Sequence, residues 1–180
     1  MDGRKKFSYS PFTKELKKMG FYFDLKDPKC VILGEGSFGI VGLYKNKNNK
    51  YKAIKIINVV EYIRKYNDYD IIKREQEIIH VINNLLSKKL CSGGEKFLVK
   101  YKIMHGKKKL WGMPKFVYLI SDYYGIDLSN YYYNRKVNIQ FIQNIGKQII
   151  EGLKCLMDIG IVLYDLKPEN ILINKKKKLN

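Results

Sequence analysis

The chain is poor in cysteine, histidine, proline and acid. Its three cysteines, Cys30, Cys91 and Cys155, are odd in number and far apart, which argues against a disulfide framework or a thiolate metal centre. The two histidines, His80 and His105, sit in no ligand-like cluster. No apolar run approaches the roughly 18 residues that a membrane-crossing helix needs, and no apolar stretch follows Met1-Asp2-Gly3-Arg4-Lys5-Lys6, so no secretory signal is visible. These absences predict an intracellular chain, in cytoplasm or nucleus, with no membrane partner. Acidic residues number 17 against 35 basic ones, a formal charge of +18. Such a balance attracts nucleic acid, anionic membrane or acidic substrates. Candidate patches are 107–109, 175–178 and the stretch from Arg4 to Lys18, the last with Phe7, Tyr9 and Phe12 interleaved. Lysines are nevertheless scattered along the whole chain and no nucleic-acid-binding motif accompanies them. Most of the charge therefore reads as solvated surface, and dedicated nucleic-acid binding is not expected.

Apolar residues, by contrast, are plentiful. At 46% hydrophobic and 13% aromatic over 180 residues, the chain can bury a sizeable core. Its most informative segment is Asp165-Leu166-Lys167-Pro168-Glu169-Asn170, which puts a carboxylate, an ammonium and a carboxamide at fixed offsets in one loop. A carboxylate can orient a hydroxyl and accept its proton, an ammonium can neutralise a moving phosphate, and an amide oxygen can hold Mg²⁺. Asp, Pro and Asn also form ordinary turns, so the run gains meaning from what precedes it.

Residues 34–41 read Gly-Glu-Gly-Ser-Phe-Gly-Ile-Val, the spacing of a glycine-rich loop over nucleotide phosphates. Gly34, Gly36 and Gly39 would let the backbone turn tightly and approach phosphates with no Cβ in the way. A dinucleotide-binding loop shares this spacing but runs from a strand into a helix. Here the glycines are flanked by two strand-like runs, 30–33 and 40–44, which predicts a β-hairpin. After the turn-rich segment 45–50, Tyr51 to Ile57 reads as a third strand, with Ala53 and Lys55 on one face and Ile54 and Ile56 on the other.

In this order the hairpin, the Ala53-Ile54-Lys55 strand and the Asp165–Asn170 loop resemble the catalytic domain of eukaryotic protein kinases, over roughly residues 28 to 180. The resemblance implies an α+β fold: a small antiparallel β-sheet lobe with one helix, joined through a hinge to the beginning of a helical lobe. It divides the chain into an N-terminal extension (1–27), an N-lobe (28–121), a hinge (122–124) and part of a C-lobe (125–180). It implies ATP and Mg²⁺ as cofactors, protein Ser/Thr hydroxyls as acceptors, Asp165 as catalytic base, Lys167 beside the transferred phosphate and Asn170 as a metal ligand. Lys55 would hold the nucleotide's phosphates and pair with a helix glutamate. Glu75 leads, because Ile78, Ile79, Ile82 and Leu86 follow it along its own helix face, and Glu77 competes. The nucleotide would lie among Leu33, Gly34, Gly36, Ser37, Phe38, Gly39, Val41, Ala53 and Leu172, with Ser121 at the back and the backbones of Asp122 and Tyr124 at the adenine edge.

Asn138 to Met157 reads as a long buried helix through Ile142, Ile145, Ile149, Leu153 and Leu156, stopped by Gly160. A short amphipathic helix is expected around Phe12 to Met19, and loops at 87–96 and 105–114, where Trp111 has no assigned role. The chain also departs from the family. Leu163-Tyr164 stands where most members have His-Arg, and a neutral Tyr164 cannot grip an activation-loop phosphate, which predicts activity independent of that clamp. The passage Gly125-Ile126-Asp127-Leu128, after the hinge, is one residue shorter than the commonest kinase pattern and resembles the form of the Clk, Dyrk and casein kinase groups. The sequence ends before the place of the family's Asp-Phe-Gly, so a fragment or truncated product is expected. Lys167, two residues after Asp165, points to a Ser/Thr kinase. The alternatives are a pseudokinase or truncated nucleotide-binding module without turnover, and a basic nucleic-acid-binding protein.

Overall fold

Alternation along a single central strand organises the first half of the molecule. The computed structural model describes residues 7–36, 39–88, 93–107, 109–110, 112–133 and 137–174. The readings that fall on residues 1–6, Cys91, Lys108, Trp111 and 175–178 lie outside the described residues. The chain forms two units, residues 1–81 with 100–123, and residues 82–99 with 124–180.

The first unit begins with α1 (Pro11–Lys18), whose Ser10 cap accepts from the Thr13 N–H and whose Pro11 presets the first turn. Strands β1 (Phe21–Tyr22), β2 (Ile32–Gly36), β3 (Gly39–Asn46) and β4 (Tyr51–Asn58) follow. Then come α2 (Val59–Tyr66), α3 (Asp70–Lys88), β5 (Lys102–His105), a small hairpin of β6 (Lys109–Leu110) and β7 (Met113–Pro114), and β8 (Phe116–Asp122). The main sheet runs β1-β3-β4-β8-β5, with β2 also paired to β3, and its pairings are antiparallel. The predicted β3–β4 turn closes on Asn46, whose Oδ1 accepts from the N–H groups of Asn48 and Lys50.

Each face of β4 supports a different core. Ile54 and Ile56 join Tyr44, Phe116, Tyr118 and Ile120, and this cluster is closed by Phe7 and Leu16 of the N-terminal segment. Polar contacts fix α1 there. Thr13 and Tyr44 share a buried hydroxyl hydrogen bond of 2.8 Å, and the Glu15 carboxylate accepts from the Tyr118 hydroxyl at 2.7 Å and from the Lys107 N–H at 2.5 Å. Burial pushes the pKa of both Tyr44 and Tyr118 up, so the hydroxyls stay protonated donors. On the opposite face Ile57, Val117 and Leu119 pack with Val59 and Tyr62 of α2 and Ile72 and Ile79 of α3. Helix α2 is an addition to the sequence reading. Val59-Val60 continues a β-branched run, but the Asn58 cap and Asn67 in the left-handed conformation set its two ends.

The second unit contains a 3₁₀ turn at Gly94–Phe97, α4 (Leu128–Tyr133), α5 (Ile139–Met157) and a 3₁₀ turn at Pro168–Asn170. Asn138 caps α5 by accepting from the Phe141 N–H, and Gly160, at φ 74°, follows its end. The expectation of a buried helix needs correction: Ile145, Cys155 and Leu156 are buried, whereas Ile142, Ile150 and Met157 are exposed. The apolar positions spread over more than one face, and the described neighbours cover one of them. The turn at 94–97 packs on α5 so closely that a Cβ at Gly94 would collide with the Glu151 carbonyl and crowd Cys155. Cys155 is disulfide-bonded, while buried Cys30 forms no disulfide. This corrects the reading against disulfides, because distance along the chain does not report distance in the fold.

Leu16 is completely buried between α1 and the sheet. Leu16→Ala should lower unfolding free energy by about 2–5 kcal/mol, measured by urea denaturation; an unchanged midpoint would show that α1 does not contribute to the sheet's core.

Candidate active site

The glycine-rich segment is a hairpin, with Gly34↔Val41, Glu35↔Ile40 and Gly36↔Gly39 in register and an irregularity at Leu33. Ser37 and Phe38 lie outside the described residues. The three glycines differ in their surroundings. Gly39 has φ 128°, and a Cβ there would strike the Ile56 carbonyl oxygen of β4. At Gly34 and Gly36 a Cβ would meet nothing within 4 Å. Gly39 is thus required by the sheet itself, whereas nothing among the described residues explains glycine at 34 and 36. An outside group that must come close to the backbone would explain both.

Register then places the neighbouring side chains. Val41 lies opposite Lys55, Leu43 opposite Ala53 and Ala53 opposite Ser121, so Val41, Ala53, Lys55 and Ser121 belong to one face of the sheet. From that face the Lys55 ammonium reaches α3 and donates to Glu75 Oε1 at 2.6 Å. Both side chains are about one-third exposed, so the pair is a positioned contact more than a source of stability. Glu77 lies on an exposed part of the same helix. Three features escaped the sequence reading. Leu119 sits directly across from Lys55. His105 Nε2 meets Gln76 Oε1 at 2.7 Å, tying β5 to α3 beside Glu75. Lys52 donates to Asp122 at the end of β8. Strand alternation could have found Leu119; the other two pairs are distant in sequence and leave no local signal.

In the second unit Asp165, Lys167 and Asn170 converge. The Lys167 ammonium lies 2.9 Å from Asp165 Oδ2, and the Asn170 amide nitrogen donates to that same oxygen at 3.0 Å and to the Asp165 carbonyl at 2.8 Å. Lys167 first, and Asn170 second, hold the Asp165 carboxyl below its ordinary pKa, while Asp165 raises that of Lys167. The ionised carboxylate can accept a proton. Because the Asn170 nitrogen is engaged, its Oδ1 is the atom suited to meet a cation. Among the described residues no group of three or more His, Cys, Asp and Glu side chains could hold a metal ion. Tyr164 is 94% exposed, and Leu163 is exposed as well.

The loop is anchored through its backbone. Leu128 N–H donates to the Ile171 carbonyl and Ile173 N–H to that of Ile126, around the Asp127↔Leu172 bridge. Gly125, at φ 121°, admits this contact, since a Cβ there would lie 2.6 Å from the Ile173 carbonyl oxygen. Leu172 is partly exposed beside this bridge, and Tyr124 is half-buried.

Comparison with known proteins matches the same elements. The family model for the protein kinase domain covers residues 29–180. Calcium-dependent protein kinase 4 of Plasmodium falciparum is 31% identical over 150 residues, or 82% of this chain and 25% of that protein. Mitogen-activated protein kinase mpkC of Aspergillus niger is 26% identical over 143 residues, or 76% and 36%. A probable serine/threonine-protein kinase MRK1 homolog of Encephalitozoon cuniculi is 29% identical over 144 residues, or 79% and 39%. The chain thus spans roughly a quarter to two fifths of the length of these curated relatives.

The glycines separate by experiment. Gly39→Ala should cost about 1–3 kcal/mol or more in unfolding free energy, while Gly34→Ala and Gly36→Ala should stay within about 1 kcal/mol of the parent. Equal losses at all three positions would refute the distinction.

Proposed function

Because this chain belongs to the protein kinase domain family, we propose that it is a Ser/Thr protein kinase, binding Mg·ATP and transferring the γ-phosphoryl group to protein hydroxyls. The observation that carries this reading is the convergence of Asp165, Lys167 and Asn170 in one loop. The relatives' names, which include calcium-dependent, mitogen-activated and serine/threonine protein kinases, support it. Residues 28–121, 122–124 and 125–180 serve in this proposal as N-lobe, hinge and C-lobe segment, and 1–27 as an N-terminal extension. The short passage Gly125-Ile126-Asp127-Leu128 keeps a Clk- or Dyrk-like subgroup within it. Use of ATP fits an intracellular setting, in cytoplasm or nucleus.

The residues present fit both groups. The open backbone over Gly34 and Gly36 suits phosphate approach. Leu33, Val41, Ala53 and Leu172 offer apolar surface for a base, Ser121 leaves room behind it, and Asp122 and Tyr124 offer backbone groups. Asn170 would hold Mg²⁺ through Oδ1. When bound, Mg²⁺ offsets the negative charge on the phosphate oxygens.

Each side chain then has a stated task. Lys55, steadied by Glu75, binds the α- and β-phosphates. Asp165 orients the acceptor hydroxyl and takes its proton as the oxygen–phosphorus bond forms. The bond from the γ-phosphorus to its bridging oxygen breaks, and ADP leaves with that electron pair. Lys167 neutralises charge on the group in transit. The competing reading is nucleotide binding without turnover, since among the described residues no group of three or more His, Cys, Asp and Glu side chains could hold a metal ion.

Mg·ATP should raise the melting temperature of the wild type and of Asp165→Asn but not of Lys55→Met. Phosphotransfer to a peptide panel should fall at least about 100-fold in Asp165→Asn. A wild type with no thermal shift would sink the nucleotide site, and undiminished transfer by Asp165→Asn would remove Asp165 as the base. The depressed Asp165 pKa also predicts a pH signature. Loss of kcat/KM on the acid side should set in below the ordinary carboxylate range, and Lys167→Ala should move that limb to higher pH. An acid limb that stays in place in Lys167→Ala would refute the coupling.

A further inference from the structure

Lysines crowd the end of the sheet where β1 meets the β3–β4 turn. Lys17 and Lys18 close α1, Lys26 and Lys29 follow β1, and Lys47 and Lys50 lie in or beside the turn; all six are exposed. Strand pairing brings these segments together through Phe21↔Asn46 and Tyr22↔Lys45. Lys47 lies over Gly20, where an added Cβ would sit 2.7 Å from its Cε. Acid does not balance the cluster. Asp27 is engaged by Lys45 and by the Tyr51 hydroxyl, and the Lys45 ammonium first, with Tyr51, holds its carboxyl far below the ordinary range. Asp24 contributes one further carboxylate, turned to the Lys26 N–H. Lys17 and Lys18 have an internal purpose, offsetting the C-terminal end of the α1 dipole. Lys29 stands over the Tyr51 ring, and Lys26, Lys47 and Lys50 are exposed to solvent.

Tyr22 and Leu25, amid these lysines, are 39% and 38% exposed. We propose that this end of the sheet docks on the surface of an anionic phospholipid bilayer, with lysine ammonium groups on the headgroups and Tyr22 and Leu25 in the interfacial layer. Nucleic acid is the other polyanion to weigh, and the aromatic faces argue against it. Phe7 is buried and Phe12 packs on the same core, while the Tyr51 ring lies beneath the Lys29 and Lys45 ammonium groups. Tyr9 and Tyr22 keep exposed rings, but among the described residues they are flanked by no further exposed aromatic face, and the exposed aliphatic Leu25 suits acyl chains and offers a base nothing on which to stack. Among the described residues no helix is long and apolar enough to cross a membrane. Surface docking requires none.

Co-sedimentation of the full chain with phosphatidylcholine vesicles, with or without about one-third phosphatidylserine, tests the proposal. Binding is expected to the phosphatidylserine vesicles alone and should weaken as salt rises. Joint Lys47→Glu and Lys50→Glu substitution should weaken it about tenfold or more. Leu25→Ser, at unchanged charge, should weaken it several-fold, whereas joint Lys73→Glu and Lys154→Glu should leave it within about twofold. Circular dichroism melts confirm that each variant is folded. Failure to bind the phosphatidylserine vesicles, equal loss in both lysine pairs, or tighter binding to single-stranded RNA with no effect of Leu25→Ser would overturn the proposal, the last in favour of a nucleic-acid surface.

Discussion

Strand β4 is held between β3 and β8, and its register must satisfy both of its faces at once. A slip of one residue would send Ile54 and Ile56 to the face of Lys55 and carry Lys55 into the cluster of Tyr44 and Tyr118. The Lys55–Glu75 contact would be lost in the same step. Burial on one side and a charged contact on the other therefore specify a single alignment. The hairpin before β4 depends on it too, since Gly39 is shaped to the Ile56 carbonyl.

Much of this was legible in the sequence because it is local. Period-two alternation separated Ala53 and Lys55 from Ile54 and Ile56, the turn residues of 45–50 marked the β3–β4 connection, and amphipathic periodicity marked α1 and α5, with Gly160 as the stop of the latter. The spacing of Asp165, Lys167 and Asn170 survives as contact because all three belong to one short loop. What remained hidden is long-range. Gly34, Gly36 and Gly39 look alike in a motif, and only the strand beside Gly39 distinguishes it. The disulfide at Cys155, the His105–Gln76 bond and the Lys52–Asp122 pair join residues whose separation along the chain carries no signal. Helix α2 was concealed for a different reason: its β-branched start has strand-like propensity, and the Asn58 cap outweighs it.

The loop carrying Asp165 illustrates how irregular backbone is held in place. It has little burial to rely on, and its side chains bond chiefly to one another. Its downstream end is pinned to residues 126–128 by two backbone hydrogen bonds, so changes to the Leu172 side chain can alter the local surface without releasing the loop. Backbone anchoring leaves side chains available for chemistry.

The attachment of α1 has a consequence for modularity. Thr13 is matched to Tyr44, Glu15 to Tyr118 and to the backbone of Lys107, and Leu16 to the core between them. These are pairwise matches between distant parts of the chain, each with one polar or apolar half on the helix and the other on the sheet. Residues 7–19 and the face of the sheet that carries Tyr44 and Tyr118 therefore form a single matched unit. A chimera that exchanged this segment with a related domain would have to carry Tyr44 and Tyr118 along with it, or leave a carboxylate and a hydroxyl facing apolar surface.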